Sequence, residues 1–485
     1  MNPEILETPV PLEHYGRTHL IGIGGAGVSV IARLLAAQGV PVQGSDAVES
    51  AVLDDLRASG IQAWGSHDAA HVVGSSGPVA DTIVASSAVR ETNPELQAAR
   101  ANGLRILHRS HALASLMEGH RAVAVAGAHG KTTTSAMIST VLRELGLDPS
   151  FAIGGSVLIR DTEGAIQHVP GGYHGEGDVL VAEADESDGS FLNYHPYLAV
   201  VTNVEPDHLD HYGDVAAFEA AFDQFSQKIR PGGYLIACAD DAGSAALAQR
   251  YRAAGGNVIT YGTASDADVV LSQAEVLADG ARGQLSGAAL GAEPVQLDLH
   301  VPGVHNLRNA AASVIAANLL QPGSAKAAAK AAGHFSGTGR RFEYRGEAGG
   351  VRVFDDYAHH PTEIEALLAG ARPVAGEGKL IVLFQPHLYS RTKNFADRFA
   401  AALDNADLAV VTGVYKARED VDPHVGAHTI IEAAAPGTTH LEAIEDKRQA
   451  AHRVAAAAQP GDVIITVGAG DVTELADVIL ADLAD

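Results

Sequence analysis

Residues 122–145 read AVAVAGAHGKTTTSAMISTVLREL. The small apolar run Ala122–Ala126 has the character of a buried parallel strand, and helical spacing takes over from about Lys131 to Leu145. Between them lies Gly127-Ala128-His129-Gly130-Lys131-Thr132-Thr133-Thr134. Glycines let a backbone curl so that its N–H groups converge on phosphate oxygens, and the following helix N-terminus adds partial positive charge. Lys131 is placed to reach outer phosphates, and the Thr132 hydroxyl to sit on Mg²⁺. The strict pattern wants a glycine five residues before Gly130. Val125 stands there, so this is a shortened variant. A glycine-rich turn with an incidental lysine is the plain alternative, and the strand–loop–helix context argues against it.

Working outward, short apolar runs alternate with Ala-rich helical stretches along most of the chain, the mark of βαβ units and parallel sheets. Upstream, strands are expected at 19–23, 40–43, 82–85 and 104–107, with a helix reaching about Gln38. Downstream, they are expected at 179–182, 198–202 and 234–237. The stretch 266–302 alternates without a clear helix and reads as a small β excursion. A helix is expected over about 306–320, and 325–339 as a helix followed by a linker. From near Arg340, strands at 351–354, 380–384, 408–411 and 463–467 alternate with helices again. At roughly 150 residues per domain, a chain of 485 residues predicts about three domains. Their expected spans are 1–118, 119–335 and 336–485.

Lys and Arg total 33 against 59 Asp and Glu, a net charge of −26. Non-specific nucleic-acid binding needs a basic footprint, so no nucleic-acid partner is expected. The single cysteine, Cys238, cannot form an intramolecular disulfide or a thiolate metal site, which suits a cytoplasmic setting. The first twenty residues lack a basic stretch followed by an apolar one, and nowhere is there an apolar run of about 18 residues. No membrane association is expected, and the chain is expected to act as a monomer or weak homodimer.

Two further segments carry chemistry. Gly22-x-Gly24-x-x-Gly27, with Gly25 inside it, again sits between a strand and a helix, and Asp46 ends the next strand about 20 residues on. This is a dinucleotide fingerprint with the acid on a ribose, and the same geometry suits any pyrophosphate, including that of a UDP-sugar. Ser86 and Ser87, past another strand, could join that anion. At 183–188 the chain reads EADESD, and at 202–212 TNVEPDHLDHY. Both follow strands whose C-terminal ends gather on the phosphate-loop edge, where carboxylates and imidazoles would hold Mg²⁺ or, through Asp-His-x-x-His, zinc.

Taken together, the segments resemble the Mur ligase family over nearly the whole chain. The anchors are LIGIGGAGVS at 20–29, GAHGKTTT at 127–134, EADESDGSFL at 183–192 and TNVEPDHLDHY at 202–212. They continue with PGVHNLRNAAA at 302–312, GTGRRFE at 337–343, DDYAHHPTE at 355–363, FQPHLYSRTKNF at 384–395 and GAGDVTEL at 468–475. Each is moderately specific; all in this order are strongly so. The resemblance implies an α/β fold of three domains: a Rossmann-like N-terminal domain binding a UDP-sugar, a central P-loop ATPase-like domain with the β excursion, and a C-terminal Rossmann-like domain binding an amino acid.

The implied activity is ATP-driven amide formation between L-alanine and the carboxylate of UDP-N-acetylmuramate, through an acyl phosphate, in peptidoglycan precursor synthesis. By the same resemblance Lys131 contacts the β/γ-phosphates, Thr132 and Glu183 hold one Mg²⁺, and His208 holds a second. Asn306 and Asn309 match the pair on the adenine side, where an N-cap and a surface asparagine are the bland alternative. Arg341 matches the linker arginine that reaches the γ-phosphate, with Arg340 as an exposed neighbour, and Asp356 matches an aspartate near the ATP ribose and phosphates. Tyr357, His387 and Arg391 line the amino-acid site, Arg391 suiting a carboxylate. Gly22, Gly24, Gly25, Gly27, Ser86 and Ser87 hold the UDP pyrophosphate, with Asp46 and His71 on the uridine side. Ala128 replaces a common threonine, and Leu388 a common arginine. The rival readings are a murein tripeptide-recycling ligase, a nicotinamide-dependent oxidoreductase resting on the first glycine loop, and an ATP-binding sensor without catalysis.

Overall fold

In the computed structural model, which describes residues 4–160, 165–206, 209–277, 279–417 and 419–484, the first glycine loop leaves a wholly parallel sheet. Its five strands run in the order Gln62–Trp64, Val42–Ser45, Thr18–Ile21, Thr82–Ala85, Arg105–His108. The order reverses beside Thr18–Ile21, so the loop after that strand opens at the switch point, where ligands sit in open α/β sheets.

The phosphate loop leaves a second, larger sheet. Its parallel centre has the order Ser150–Ala152, Val179–Glu183, Arg121–Ala126, Leu198–Val201, Tyr234–Cys238, Val258–Gly262. These strands are apolar on both faces because helices cover both. The 266–302 excursion extends the same sheet through Val269–Leu277, Gly280–Ser286 and Val295–Leu299. One buried cluster runs from Leu20, Ile31 and Leu35 of the first sheet's layer to Ala122, Phe191 and Phe222 of the second's.

A third sheet has the order Glu343–Ala348, Val351–Asp356, Val463–Val467, Leu380–Phe384, Leu408–Val411, Leu441–Ala443, antiparallel only at its first pair. Buried residues cover both faces, with Leu368 and Phe399 on one and Val454 and Ile479 on the other. The chain groups into two units. One holds the residues up to Ser272 with Gln284–Leu297 and Arg308–Phe335; the other holds Gln273–Gly283, Asp298–Leu307 and the residues from Ser336 on.

The structure corrects the expected linker at 325–339. The helix Ala325–Ala332 is followed by a strand, Phe335–Thr338. The Ser-Gly pair at its centre hid it, since only Phe335 and Thr338, at its two ends, favour a strand. Among the described residues no helix is long and apolar enough to cross a membrane.

Candidate active site

The strands Val179–Glu183, Arg121–Ala126 and Leu198–Val201 are neighbours and parallel, so the segments that follow them meet on one edge. Gly127 lies at φ +134°, and a Cβ there would stand 2.3 Å from Thr202 Oγ1, so only glycine fits. The helix Lys131–Glu144 starts on Gly130 without a side-chain cap, which leaves its first turn aimed at the loop. Lys131 Nζ donates to Gly127 O at 2.6 Å and Ala128 O at 3.3 Å, and to Glu186 Oε2 at 2.9 Å and Oε1 at 3.1 Å. Burial works against the ammonium, but Glu186 and Asp185 outweigh it and hold the Lys131 pKa above its usual range.

Thr132 Oγ1 donates to Glu183 Oε2 at 3.2 Å, and Glu183 Oε1 accepts the Gly154 N–H at 2.8 Å. A hydroxyl beside a carboxylate, both facing the loop, is a hard-oxygen donor set of the kind Mg²⁺ takes. His129 N–H donates to Asn203 Oδ1 at 3.0 Å, and His129 Nε2 is 3.3 Å from Glu205 Oε2. Thr133 is half-buried in the helix's first turn. His208 lies outside the described residues.

The first glycine loop is arranged differently. Gly22 and Ile23 N–H donate to Ser45 O at 2.8 and 3.0 Å, and Gly25 N–H to Gly22 O at 3.0 Å. Gly24 N–H donates to Asp46 Oδ2 at 2.9 Å. Asp46, at the end of the neighbouring strand, therefore reaches across onto the glycine loop. Arg109, which the sequence reading passed over, lies against Gly27, with Nη1 3.2 Å from where a Cβ would stand. Its Nη2 donates to Asp185 Oδ2 at 2.7 Å. Burial would raise the Asp185 pKa, but Arg109 and then Lys131 overcome it and drive the carboxyl far below its usual range. Ser87 Oγ donates to Asp188 Oδ2 at 2.5 Å, while the Ser86 carbonyl caps a turn by accepting Val89 N–H at 3.1 Å. The EADESD segment thus touches the phosphate loop directly and reaches the first glycine loop through Arg109. The signal for Arg109 was its place just past the strand expected at 104–107, on the ligand edge of a parallel sheet.

His71 belongs to a buried cluster. Its Nδ1 lies 2.7 Å from Glu95 Oε1, and its ring stacks on Trp64 at 4.1 Å. Glu95 also accepts from Ser45 Oγ at 2.6 Å. Burial pushes that carboxyl up, yet contacts from His19, Ser45 and His71 hold its pKa down at about 2.

Asn309 Oδ1 is 3.5 Å from the Cβ position of Gly130, beside the phosphate loop. Asn306, one turn earlier in the helix Val304–Leu320, donates through Nδ2 to Pro302 O at 2.7 Å. Both asparagines are buried, so neither is the surface residue of the bland alternative.

In the second unit Asp356 ends a strand and accepts Phe342 N–H and Ala358 N–H, each at 2.7 Å. Burial raises its pKa to about 6, although Arg341 pulls the other way. The Tyr357 ring lies under the guanidinium carbons of Arg340 at 4.9 Å and Arg341 at 5.2 Å. Arg340 is corrected from an exposed neighbour to a half-buried residue with three side-chain hydrogen bonds, because its side chain turns inward across the sheet edge. His387 stacks on Tyr415 at 5.8 Å and meets His359 edge-on at 5.8 Å. Burial lowers the His359 pKa to about 3 against the pull of Glu363. Arg391 is buried nearby in sequence, and Leu388 adopts φ +70°.

A lysine-bearing phosphate loop, an adjoining acidic strand end and a separate α/β unit carrying Arg341 and Asp356 match three family models in sequence order. Residues 17–121 match the Mur ligase family catalytic domain, 125–317 the Mur ligase middle domain, and 340–470 the Mur ligase glutamate ligase domain. The chain belongs to the Mur ligase family. Among Mur ligases it is 52% identical over 472 residues to the UDP-N-acetylmuramate–L-alanine ligase of Kineococcus radiotolerans, covering 97% of both chains. It is 51% identical to the ligase of the same name from Paenarthrobacter aurescens, over 97% of this chain and 98% of the relative. A crystal structure of UDP-N-acetylmuramate-alanine ligase from Thermotoga maritima superposes with a TM-score of 0.77 at 28% identity, covering 96% of this chain and 98% of that one. Mur ligases use ATP, and a nicotinamide oxidoreductase has no place in the family.

Proposed function

We propose that this enzyme joins L-alanine to the carboxylate of UDP-N-acetylmuramate, releasing ADP and phosphate. The full-length identity to ligases of that name supports the substrates. The observation that carries the chemistry is Lys131 at the phosphate loop with Thr132 and Glu183 beside it. A carboxylate is a poor acyl donor at neutral pH, so it must be activated. The sugar acid attacks the ATP γ-phosphate, ADP departs, and the acyl phosphate forms. The L-alanine amine then attacks the acyl carbon, and phosphate leaves from the tetrahedral intermediate.

Such phosphoryl transfer is mostly positioning and charge neutralisation. Lys131 neutralises the β/γ oxygens, the amides of 127–133 cradle them, and Asn306 and Asn309 orient the adenine side. Thr132 and Glu183 would hold one Mg²⁺, with His208 for a second; bound there, the ion spreads negative charge off the transferring group. Arg341 supplies positive charge to that group, and Asp356 orients the nucleotide. Tyr357, His387 and Arg391 receive L-alanine, Arg391 at its carboxylate. Gly22–Gly27, Asp46, His71, Ser86 and Ser87 hold the UDP end. The domain spans 1–118, 119–335 and 336–485 divide these tasks, and a supply of ATP and nucleotide sugar places the reaction in the cytoplasm.

The test is ADP release with UDP-N-acetylmuramate and a panel of L-alanine, glycine, L-serine and a murein tripeptide. L-Alanine should be the preferred amine. Turnover with the tripeptide alone would overturn the assignment in favour of a recycling ligase.

A further inference from the structure

Between Thr338 and Glu343 the chain twice enters the left-handed region with side-chain-bearing residues, Arg340 at φ +60° and Phe342 at φ +48°. That conformation is costly and persists where the surroundings over-determine it. Here four backbone N–H groups are fixed. Arg341 donates to Thr338 O at 3.1 Å and Tyr357 to Arg340 O at 2.7 Å. Arg340 donates to Glu343 Oε2 and Phe342 to Asp356 Oδ2, both at 2.7 Å. The Phe342 ring stacks on Phe354 at 4.3 Å.

The Arg340 side chain closes the arrangement. Its Nε donates to Asp355 Oδ2 at 3.2 Å, and its Nη2 donates to Gly468 O at 2.7 Å and Gly470 O at 3.1 Å. Its face lies over Tyr357. Asp355 is fully buried and also accepts from Thr466 Oγ1 at 2.6 Å. The 468–471 loop is pinned in turn, with Asp471 accepting from Gln385 Nε2 at 2.8 Å and Lys447 Nζ at 2.5 Å. Only a planar fork of donors can serve a carboxylate, two carbonyls and an aromatic face together; an ammonium cannot.

We propose that Arg340 is a positioning residue for phosphoryl transfer: its guanidinium locks the 340–342 turn to the 468–470 loop, so that Arg341 and Asp356 are presented as a fixed pair. Arg340 does not touch the substrate; it acts through Arg341. This rests on the reading of Arg341 as a γ-phosphate contact.

The test measures kcat, KM for L-alanine and the unfolding midpoint of Arg340→Gln, Arg340→Gly, Arg341→Ala and the double variant Arg340→Gly/Arg341→Ala. Glycine enters φ +60° without steric cost, so Arg340→Gly should unfold later than Arg340→Gln. Both should nonetheless lose about 10- to 100-fold in kcat, the scale of a charged hydrogen-bond network, with KM for L-alanine unchanged. In the Arg341→Ala background, Arg340→Gly should cost less than about 2-fold more, as expected of residues acting as a unit. Turnover that recovers with stability in Arg340→Gly, or a full additive loss in the double variant, overturns the proposal. Near wild-type turnover in Arg341→Ala instead overturns the phosphate reading of Arg341, and Arg340's role with it.

Discussion

The loops at 22–27 and 127–134 share one grammar, strand then glycines then helix, and reach opposite electrostatic states. In the first, the amides of Gly22, Gly24 and Gly25 donate to Ser45 O, Asp46 Oδ2 and Gly22 O, so the loop's own chain accepts from it. In the second, the loop ends on Lys131, whose ammonium faces Glu186 and the carbonyls of Gly127 and Ala128. A glycine pattern therefore specifies a curve in the backbone, and the first charged residue beyond it decides what the curve can do. Asp46 closes the first loop with a carboxylate that takes up one of its amides; Lys131 puts an ammonium at the second.

Breaking the second loop should have the largest effect. Lys131→Ala should lower ADP release on the order of 10³-fold or more, given what single charge-stabilising donors contribute to such transfers. It also strands Glu186, 1% exposed, without its cation. Removing one partner of a buried pair costs about 3–5 kcal/mol. Lys131→Met with Glu186→Gln should recover the unfolding midpoint and leave turnover lost; turnover returning with stability would show that Lys131 is only a structural counter-ion. Next in size, Glu183→Gln should raise the Mg²⁺ concentration for half-maximal rate about 10- to 100-fold, the cost of weakening a metal's support. An unchanged Mg²⁺ titration would remove Glu183 from the donor set.

The first loop offers a smaller and more selective effect. Asp46→Ala should raise KM for UDP-N-acetylmuramate about 10-fold, the worth of one charged hydrogen bond, with KM for ATP unchanged. Asp46→Asn keeps an acceptor for Gly24 N–H and should recover part of that loss. Equal changes in both KM values would mean that Asp46 shapes the whole unit and not one site.

Most of this contrast could be read from sequence. Strand–glycine–helix order placed both loops, because local pattern and tertiary role agree there, and alternation in 266–302 showed a β excursion without showing that its strands extend the central sheet. What escaped was long-range charge. Arg109 and Asp185 stand 76 positions apart, and no period connects them. The pairing exists because two sheets bring their strand ends together. Arg340 escaped for a related reason: a linker arginine reads as exposed until the loop at 468–470 supplies two carbonyls for it. The short strand Phe335–Thr338 was lost to its weak β composition.

The smallest expected effect concerns a third kind of charge, one kept buried at the end of a strand. Asp356 has its pKa raised by burial to about 6, against 3.8 unperturbed. A carboxyl raised on folding contributes stability that is complete below the unfolded pKa and is lost as pH climbs through the folded one. The wild-type fold should therefore weaken between about pH 4 and pH 7 through this group. Asp356→Asn removes that dependence, but its single oxygen cannot accept both Phe342 N–H and Ala358 N–H, at about 1–2 kcal/mol. The variant should thus be the less stable protein at pH 4 and the more stable by about 1–2 kcal/mol at pH 8, the difference changing sign at about pH 5. Denaturant unfolding of both proteins across that range measures it. Parallel curves at every pH would mean that Asp356 is ionised throughout, held by Arg341 as firmly as Lys131 is held by Glu186, and the contrast between a paired charge and a merely buried one would fail in this unit.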